Sequence, residues 1–369
     1  MIHLKANIFF LAMFILLGSF QAESQSAKKP FRIGIAGLTH DHVHGILARA
    51  DDGDIEIVGI AEPNRALAER YLNQYKLPLS LWFPSLEEML DKTRPEAVTA
   101  FNSIYEHLAV VKTCAPRKIH VMVEKPLAVS LDHAKQMQAL IQQYGIQLLT
   151  NYETTWYGSN LKIEEEYMKK HTLGALRKVV IHDGHQGPKE IGCSKEFLEW
   201  LTDPVKNGGG AIMDFGCYGA NLLTWLTGGE RPLSVVAVTQ QMKPLVYPGV
   251  DDEATVILMY AHMQGIIQAS WNWPFGRKDM EIYGEKGSIL ADRQGARLKT
   301  QADKQEEFFA SAAIEKPYHD PFAYLAAVVR GEINSGPADL SSLENNVIVV
   351  EILEAAKLSA KEGRAIQLR

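Results

Sequence analysis

Val121-Met122-Val123-Glu124-Lys125-Pro126-Leu127-Ala128 carries an apolar run straight into an acid, a lysine and a proline. Proline has no N–H to give a sheet ladder and fixes its own φ, so a strand is predicted to stop at about Glu124. That leaves Lys125 at the carboxyl end of a buried strand, the edge at which open α/β sheets bind their ligands. A lysine there is either a surface residue with a buried stem or a charge aimed into a cleft.

On either side of this stretch, short apolar runs alternate with amphipathic ones. Strands are predicted at 32–36, 56–61, 97–101, 121–123 and 147–149, and helices over 44–50, 65–75, 105–113 and 130–144. Ser85-Leu86-Glu87-Glu88 opens a further helix with a capping-box arrangement. Strands alternating with helices imply an α/β domain with a parallel, doubly wound sheet over 31–150. Beyond Asn151 the predicted strands are grouped, at 176–182, 233–239, 254–260, 265–271 and 278–283. Grouped strands imply a second, α+β domain over 151–369 with a mostly antiparallel open sheet, closed by a helix over 341–362.

The 369 residues allow two domains, and a net charge of −6 supplies no basic field for nucleic acid. At the N-terminus Lys5 precedes a ten-residue apolar run, 8–17, and then small and polar residues. This is the pattern of a secretory signal peptide, 1–24, cleaved after Ser24, with 25–30 as a linker. The protein is therefore expected in the periplasm or outside the cell, with no membrane contact once the signal is removed; the alternative is a retained anchor. Cys114, Cys193 and Cys217 form no disulfide framework, and buried thiols are expected, with a Cys193–Cys217 pair the alternative.

Were the first unit to bind a dinucleotide, Gly37 would begin a G-x-G-x-x-G turn. The chain reads Gly37-Leu38-Thr39-His40-Asp41-His42, with Thr39 and His42 in place of the second and third glycines. The glycines serve the tight turn, the close approach of pyrophosphate and the packing of the helix, so the motif is weak. Glu62, at the end of the second predicted strand, can accept bonds from a ribose hydroxyl and would repel a 2′-phosphate, which favours NAD over NADP. Arg65 nearby pulls the other way. His40, Asp41, His42 and His44 could be metal ligands, but no partner set with matching spacing appears elsewhere. Polar contacts to phosphate or sugar, or plain capping, are the favoured reading, and no metal is expected.

The second constellation follows Trp200. Gly208-Gly209-Gly210 implies a backbone that needs conformational freedom. From Ala211 the apolar spacing is helical, which places Asp214 and Tyr218, i and i+4, on one helix face. With a lysine from another strand end, an acid and a phenol make a proton-transfer site, the ammonium lowering the phenol's pKa. The alternative is an aspartate cap beside a core tyrosine.

Together these segments resemble the glucose–fructose oxidoreductase, inositol dehydrogenase and rhizopine-catabolism family, Gfo/Idh/MocA. The marks are Glu124-Lys125-Pro126, Gly208-Gly209-Gly210-x-x-x-Asp214-x-Gly216-x-Tyr218, His107, Asp251-Asp252 and Glu281-Ile282-Tyr283-Gly284-x-x-Gly287-Ser288. The resemblance implies an N-terminal Rossmann domain and a C-terminal sheet domain that often forms the oligomer contact. It implies hydride transfer between a nicotinamide and a sugar or cyclitol carbon. Lys125 would touch the reacting hydroxyl and the nicotinamide ribose, Asp214 would orient substrate, and Tyr218 would shuttle the proton where histidine is common in the family. Gly37, Thr39, His40, His42, Glu62, Asn102, His107, Glu124 and Lys125 would line the cofactor. Asn102-Ser103 replaces the family's Thr-Pro. Tyr152, Trp156, His185 and Trp200 are expected to contact substrate, and His182 and Asp183 to lie in segments bordering the cleft.

Export adds a constraint, because no pool of free nicotinamide exists outside the cytoplasm. The expected function is an exported sugar or cyclitol oxidoreductase with tightly bound NAD, NADP being the alternative, forming a dimer or tetramer. Lys125→Met and Tyr218→Phe are each expected to cut turnover and leave the fold intact. Two other readings stand: a glycoside-cleaving enzyme that uses bound NAD without net redox, and a sugar-binding protein that has lost its cofactor.

Overall fold

The computed structural model describes residues 29–49 and 52–368. The predicted signal peptide and linker residues 25–28 lie outside the described residues. The first sheet contains β1 (Phe31–Ala36), β2 (Ile55–Ala61), β3 (Trp82–Phe83), β4 (Ala97–Ala100), β5 (His120–Glu124) and β6 (Leu148–Asn151). Every pairing is parallel and the order is β3-β2-β1-β4-β5-β6. The direction of winding therefore reverses between β1 and β4, and ligands of such sheets bind in the crevice outside the strand ends at that point. The connecting helices are α1 (Val43–Leu47), α2 (Arg65–Gln74), α3 (Leu86–Thr93), α4 (His107–Cys114) and α5 (Leu131–Tyr144).

Local chemistry sets these boundaries. The Ser85 and Ser130 hydroxyls accept from the N–H groups of Glu88 and His133, which caps α3 and α5. Gly145, at φ 65°, ends α5 in the left-handed conformation that glycine adopts without cost. The chain stops pairing at Glu124, where Pro126 follows. The two-residue β3 is too short to leave a periodic trace in the sequence.

The second sheet has nine strands in the order β14-β13-β12-β11-β7-β10-β9-β8-β15. They are β7 (Leu176–Gly184), β8 (Ser234–Gln240), β9 (Glu253–Met259), β10 (Gln264–Ser270), β11 (Arg277–Gly284), β12 (Ser288–Asp292), β13 (Gly295–Lys299), β14 (Glu307–Ala310) and β15 (Ile366–Gln367). All pairs are antiparallel except β7 with β10. Helices α6 (Ser159–Ile163), α7 (Lys195–Leu201), α8 (Ala211–Asp214) and α9 (Gly216–Leu226) accompany it. Every residue of α9 is buried. A Cβ on Gly219 would lie 2.5 Å from Ile267, so glycine is what lets α9 sit this close to β10.

Two features depart from the sequence reading. The helix through Asp214 and Tyr218 is not continuous: it breaks at Phe215, leaving Asp214 as the last residue of α8 and Tyr218 in the first turn of α9. The last helices also cross between the sheets. In α10 (Pro321–Val329), Phe322, Tyr324, Leu325 and Val328 join the core around Ile33 and Ile35. In α11 (Leu343–Glu362), Leu343, Val347 and Val350 pack with Val121, Val123 and Leu148, while Ile348, Ile352 and Leu353 face the second core. No described helix is long and apolar enough to cross a membrane. The three cysteines are free thiols, Cys114 and Cys217 buried and Cys193 half-buried.

Candidate active site

Lys125 leaves the carboxyl end of β5 and is 5 % exposed. Its Nζ donates to Oδ1 of Asp214 at 2.5 Å and to the Asp214 carbonyl at 3.1 Å. Two of its three N–H bonds are so engaged, which leaves one to aim at a ligand. Burial disfavours the ammonium, but the Asp214 carboxylate more than offsets it, and the lysine pKa is raised. For Asp214, burial pushes up and Lys125 pulls down, with a net lowering. The pair is therefore a buried ion pair at neutral pH. The indole Nε1 of Trp271 donates to the other Asp214 oxygen at 2.9 Å, so the carboxylate is held from both sides. The break at Phe215 frees the Asp214 carbonyl to meet the lysine.

The glycine run serves the same element. Asp251 accepts from the N–H groups of Gly210 and Ile212 at 2.9 and 2.8 Å, and a Cβ on Gly210 would lie 1.8 Å from the Asp251 carbonyl oxygen. Gly208 adopts φ +81°. These contacts fix the start of α8, and with it Asp214.

The Tyr218 ring is buried, 5.1 Å from Lys125 Nζ and 4.3 Å from Lys278 Nζ. Among the described residues its hydroxyl has no hydrogen-bond partner. Its pKa is raised well above the ordinary phenol value, by burial first and then by Asp183 and Glu153. The expected lowering by Lys125 is not what the structure shows, because burial of the ring, with Asp183 and Glu153 behind it, outweighs it. Tyr152 meets Tyr218 edge-on at 5.4 Å. His185 accepts the Gly187 N–H on Nδ1, so its proton sits on Nε2, and its ring meets Phe215 at 4.8 Å.

A second set of charges faces Tyr218; of these the sequence reading places Asp183 beside the cleft and leaves out Lys278 and Glu153. Lys278 on β11 lies opposite Asp183 on β7 and donates to Glu153 at 2.6 Å. Glu153 also accepts from the Tyr157 hydroxyl at 2.9 Å. Burial would raise Glu153, but Lys278 outweighs it and brings its pKa down to about 2. Asp183 is 1 % exposed, one of its oxygens has no partner, and burial raises its pKa well above the usual carboxylate range. Strand periodicity could have found Lys278, since it shares the buried face with Met280 and Ile282. His182 donates to Asp279 at 3.0 Å and lines the same pocket as Asp183 and Lys278.

At the other end, Gly37 (φ +79°) packs where a Cβ would lie 2.7 Å from Asn102. Glu62 accepts from Leu38 N–H at 2.9 Å and from Asn64 N–H at 2.8 Å, which pins the turn. The N–H groups of Thr39 and His40 both go to the Phe101 carbonyl, and that of His42 goes to His40 Nδ1. Glu124 accepts from His42 Nδ1 at 2.8 Å and from Asn151 at 2.7 Å, and Asn151 accepts in turn from Trp156. His107 donates from Nδ1 to the Leu127 carbonyl at 3.1 Å, and burial lowers its pKa to about 4. Trp200 does not reach the cleft: it is buried against His40 and donates to the Thr39 carbonyl.

His40, His42 and Glu124 bring three potential metal ligands together. The His40 tautomer argues against an ion there. Its Nδ1 accepts a main-chain N–H, so Nε2 carries the proton and has no lone pair to offer a metal.

A dinucleotide fits the crevice better. A cavity of about 280 Å³ lies at the carboxyl ends of β1, β2 and β4, bounded by Gly37, Thr39, Glu62, Ser85 and Asn102. Its size and the fixed Glu62 carboxylate suit the adenosine half. For the diphosphate, the turn offers the Asp41 N–H and the half-exposed His42 ring, since the neighbouring amides are engaged. A larger hollow of about 760 Å³, lined by Arg94, Glu96, Arg117 and His120, lies at the amino ends of β4 and β5, away from these groups.

Residues 31–152 match the model of an oxidoreductase family with an NAD-binding Rossmann fold, and residues 165–290 match the GFO/IDH/MocA C-terminal domain. The chain is 23 % identical over 333 residues to a mouse trans-1,2-dihydrobenzene-1,2-diol dehydrogenase, covering 87 % of this chain and 94 % of that one. It is 24 % identical over 353 residues to a myo-inositol 2-dehydrogenase of Thermotoga maritima, covering 91 % and 98 %. Among solved structures it is similar to the aldose-aldose oxidoreductase of Caulobacter crescentus complexed with glycerol, with a TM-score of 0.76, 20 % identity and coverage of 92 % and 100 %.

Proposed function

This chain belongs to the Gfo/Idh/MocA oxidoreductase family and carries its NAD-binding Rossmann domain, and from that premise we propose an exported enzyme acting on a sugar or cyclitol hydroxyl or ketone with tightly held NAD. The observation that carries the reading is the Lys125–Asp214 ion pair, with Lys125 Nζ 5.1 Å from the ring of Tyr218, at the carboxyl end of a strand of the first sheet. Gly37, Glu62, Asn102, Asp41 and His42 would hold the cofactor, which supplies the hydride acceptor or donor.

The chain's own groups do the rest. The third N–H of Lys125 and the Tyr218 hydroxyl would both serve one reacting oxygen. In the reduction direction both stabilise developing charge on a carbonyl oxygen. In oxidation, Tyr218 passes on the hydroxyl proton, and Asp183, with its raised pKa, is the neighbouring carboxylate able to receive it. Asp214 fixes the lysine, and Trp271 fixes Asp214.

Export rests on the signal-like residues 1–24, and tight cofactor retention follows from export. The outer face of the second sheet exposes Val238, Met259, Tyr283 and Phe308, apolar surface suited to a second copy. The glycoside-cleaving reading is favoured by one observation: the Asp183 and Glu153 carboxyls lie outside the Lys125 pair and supply additional acid and base groups.

The first test is mass spectrometry of the supernatant after denaturing protein purified from its exported form without added nucleotide. Near-stoichiometric NAD(H) is expected. If neither NAD nor NADP is found, and neither binds on titration, the oxidoreductase reading is overturned in favour of a sugar-binding protein.

A further inference from the structure

A cavity at the seam between the two domains plays no part in the proposed chemistry. Its volume is about 400 Å³, and its walls include Trp156 ahead of α6, Trp225 near the end of α9, Tyr324 on α10 and Tyr318 in the segment that leads into α10. Tyr324 packs into the core of the first domain and Trp225 into that of the second, so both rings are held in place. Trp156 and Tyr324 meet at 5.5 Å and 62°, and Tyr318 and Tyr324 at 5.8 Å and 50°. Rings inclined in this way, rather than stacked, can turn their electron-rich faces onto one occupant. Tyr318 is 48 % exposed, which leaves the cavity a side towards solvent.

The charge on these walls has one sign. Among the described residues two carboxylates line the cavity, those of Glu164 and Asp339, and no lysine, arginine or histidine does. Glu164 is half-buried and meets the mostly exposed Lys169 at 3.8 Å. Asp339, half-buried ahead of α11, accepts the Ser341 N–H on Oδ1 at 2.9 Å, and among the described residues it has no ion-pair partner. Burial raises its pKa, and no cation offsets the rise. Burial also raises Glu164 against the pull of Lys169, and Asp339 adds to that rise, so the two carboxylates repel each other. An anion is disfavoured here, and a neutral apolar ligand leaves Asp339 unanswered. A hard metal ion needs a shell of oxygens that aromatic walls do not supply. An alkylated ammonium satisfies both features, because its charge is spread over C–H groups that rest on ring faces.

We propose that this cavity binds a small organic cation with a methylated ammonium head, of the choline class, the head resting on the Trp156, Trp225, Tyr318 and Tyr324 rings and its charge answered by Asp339. The inference stands apart from the redox reading, since neither Lys125 nor Tyr218 lines the cavity.

The experiment is calorimetric titration of the whole protein with choline and with tetramethylammonium at constant ionic strength, beside the uncharged isostere of choline in which carbon replaces nitrogen. It is repeated on Tyr318→Ala and on Asp339→Asn, in which asparagine keeps an acceptor for the Ser341 N–H. Choline is expected to bind about tenfold or more tightly than its isostere. Asp339→Asn should remove most of that preference, and Tyr318→Ala should weaken choline about tenfold, both with thermal stability unchanged. Absence of choline binding up to millimolar concentration, equal affinity for the isostere, or a choline affinity untouched by both variants overturns the site. The same titration on protein stripped of nucleotide is expected to give the same result, so a failure of the redox reading would leave the cation site standing. Choline binding that vanishes with the nucleotide would instead place the cation in the cofactor crevice and overturn the assignment to this cavity.

Discussion

At the catalytic end of the cleft, Lys125 and Asp214 are buried as charges, beside the partly exposed pair of Lys278 and Glu153. At the nucleotide end, beside the buried Glu62 and Glu124, two histidines are buried as neutral rings, since His40 and His107 both have pKa values lowered chiefly by burial. A buried ion pair depends on its partner, so removing one member leaves an uncompensated charge. A buried neutral imidazole depends on pH, because protonation alone makes it a charge without a partner. The two ends should therefore fail under different insults.

The largest effect is expected for Lys125→Met, with kcat falling on the order of 10⁴-fold as the reacting oxygen loses its cation. The sequence reading leaves the fold intact in this variant. The structure says otherwise, because Asp214 would be left charged in the interior at a cost of about 3–5 kcal/mol. Adding Asp214→Asn should restore stability but not turnover, as chemical denaturation and steady-state rates on the same samples would show. If Lys125→Met alone is as stable as the parent, the contrast between the two ends collapses.

Tyr218→Phe removes only a hydroxyl with no internal partner, so stability should hold while kcat drops roughly 10²–10³-fold. A loss of stability instead would mean that the hydroxyl has a structural partner.

Acid sharpens the comparison. Folded His107 takes up its proton only near pH 4, whereas the unfolded chain does so near 6.5. Its contribution to stability is thus complete above about pH 6.5 and is lost as the pH falls towards 4, by about 3 kcal/mol. His40 acts in the same direction. Glu153, held down at about 2, gives stability that is lost only below the ordinary glutamate value of about 4.5. Denaturation between pH 7 and 4 should show the histidine loss first, and His107→Asn should flatten it. An unchanged slope in that variant would place the sensitivity elsewhere.

The smallest effect is expected for Thr39→Gly, which restores a motif glycine. Thr39 does not have a positive φ and its N–H is already bonded to Phe101. NAD affinity, measured by calorimetry on stripped protein, should change by no more than about threefold. A large gain would show that the threonine side chain obstructs the cofactor.

These contrasts track what the sequence makes legible. Lys125 is readable because proline terminates strands by a local rule, and the parallel sheet is readable because apolar runs keep their period. Asp214 and Tyr218 are readable as a pair, but the break at Phe215 is not, since it answers to a lysine 90 residues earlier in the chain. The roles of Asp251, Trp271 and Lys278 are set by strand register, which pairs residues far apart in sequence. Trp200 is misread because an indole beside a glycine turn and an indole in a sugar cleft have the same local pattern. The phenol's pKa is misread because proximity to Lys125 is visible in the motifs while the complete burial of the ring, which raises it, is not.

Helices α10 and α11 return from the second domain to complete the core of the first, through Phe322, Leu325, Val347 and Val350. During synthesis the parallel sheet therefore lacks part of its own interior until nearly the whole chain has emerged. A segment ending near residue 150 would expose those faces and remain loosely folded. If the chain is exported as proposed, that delay would keep its leading half extensible for passage through a membrane pore until the last helices arrive to lock it.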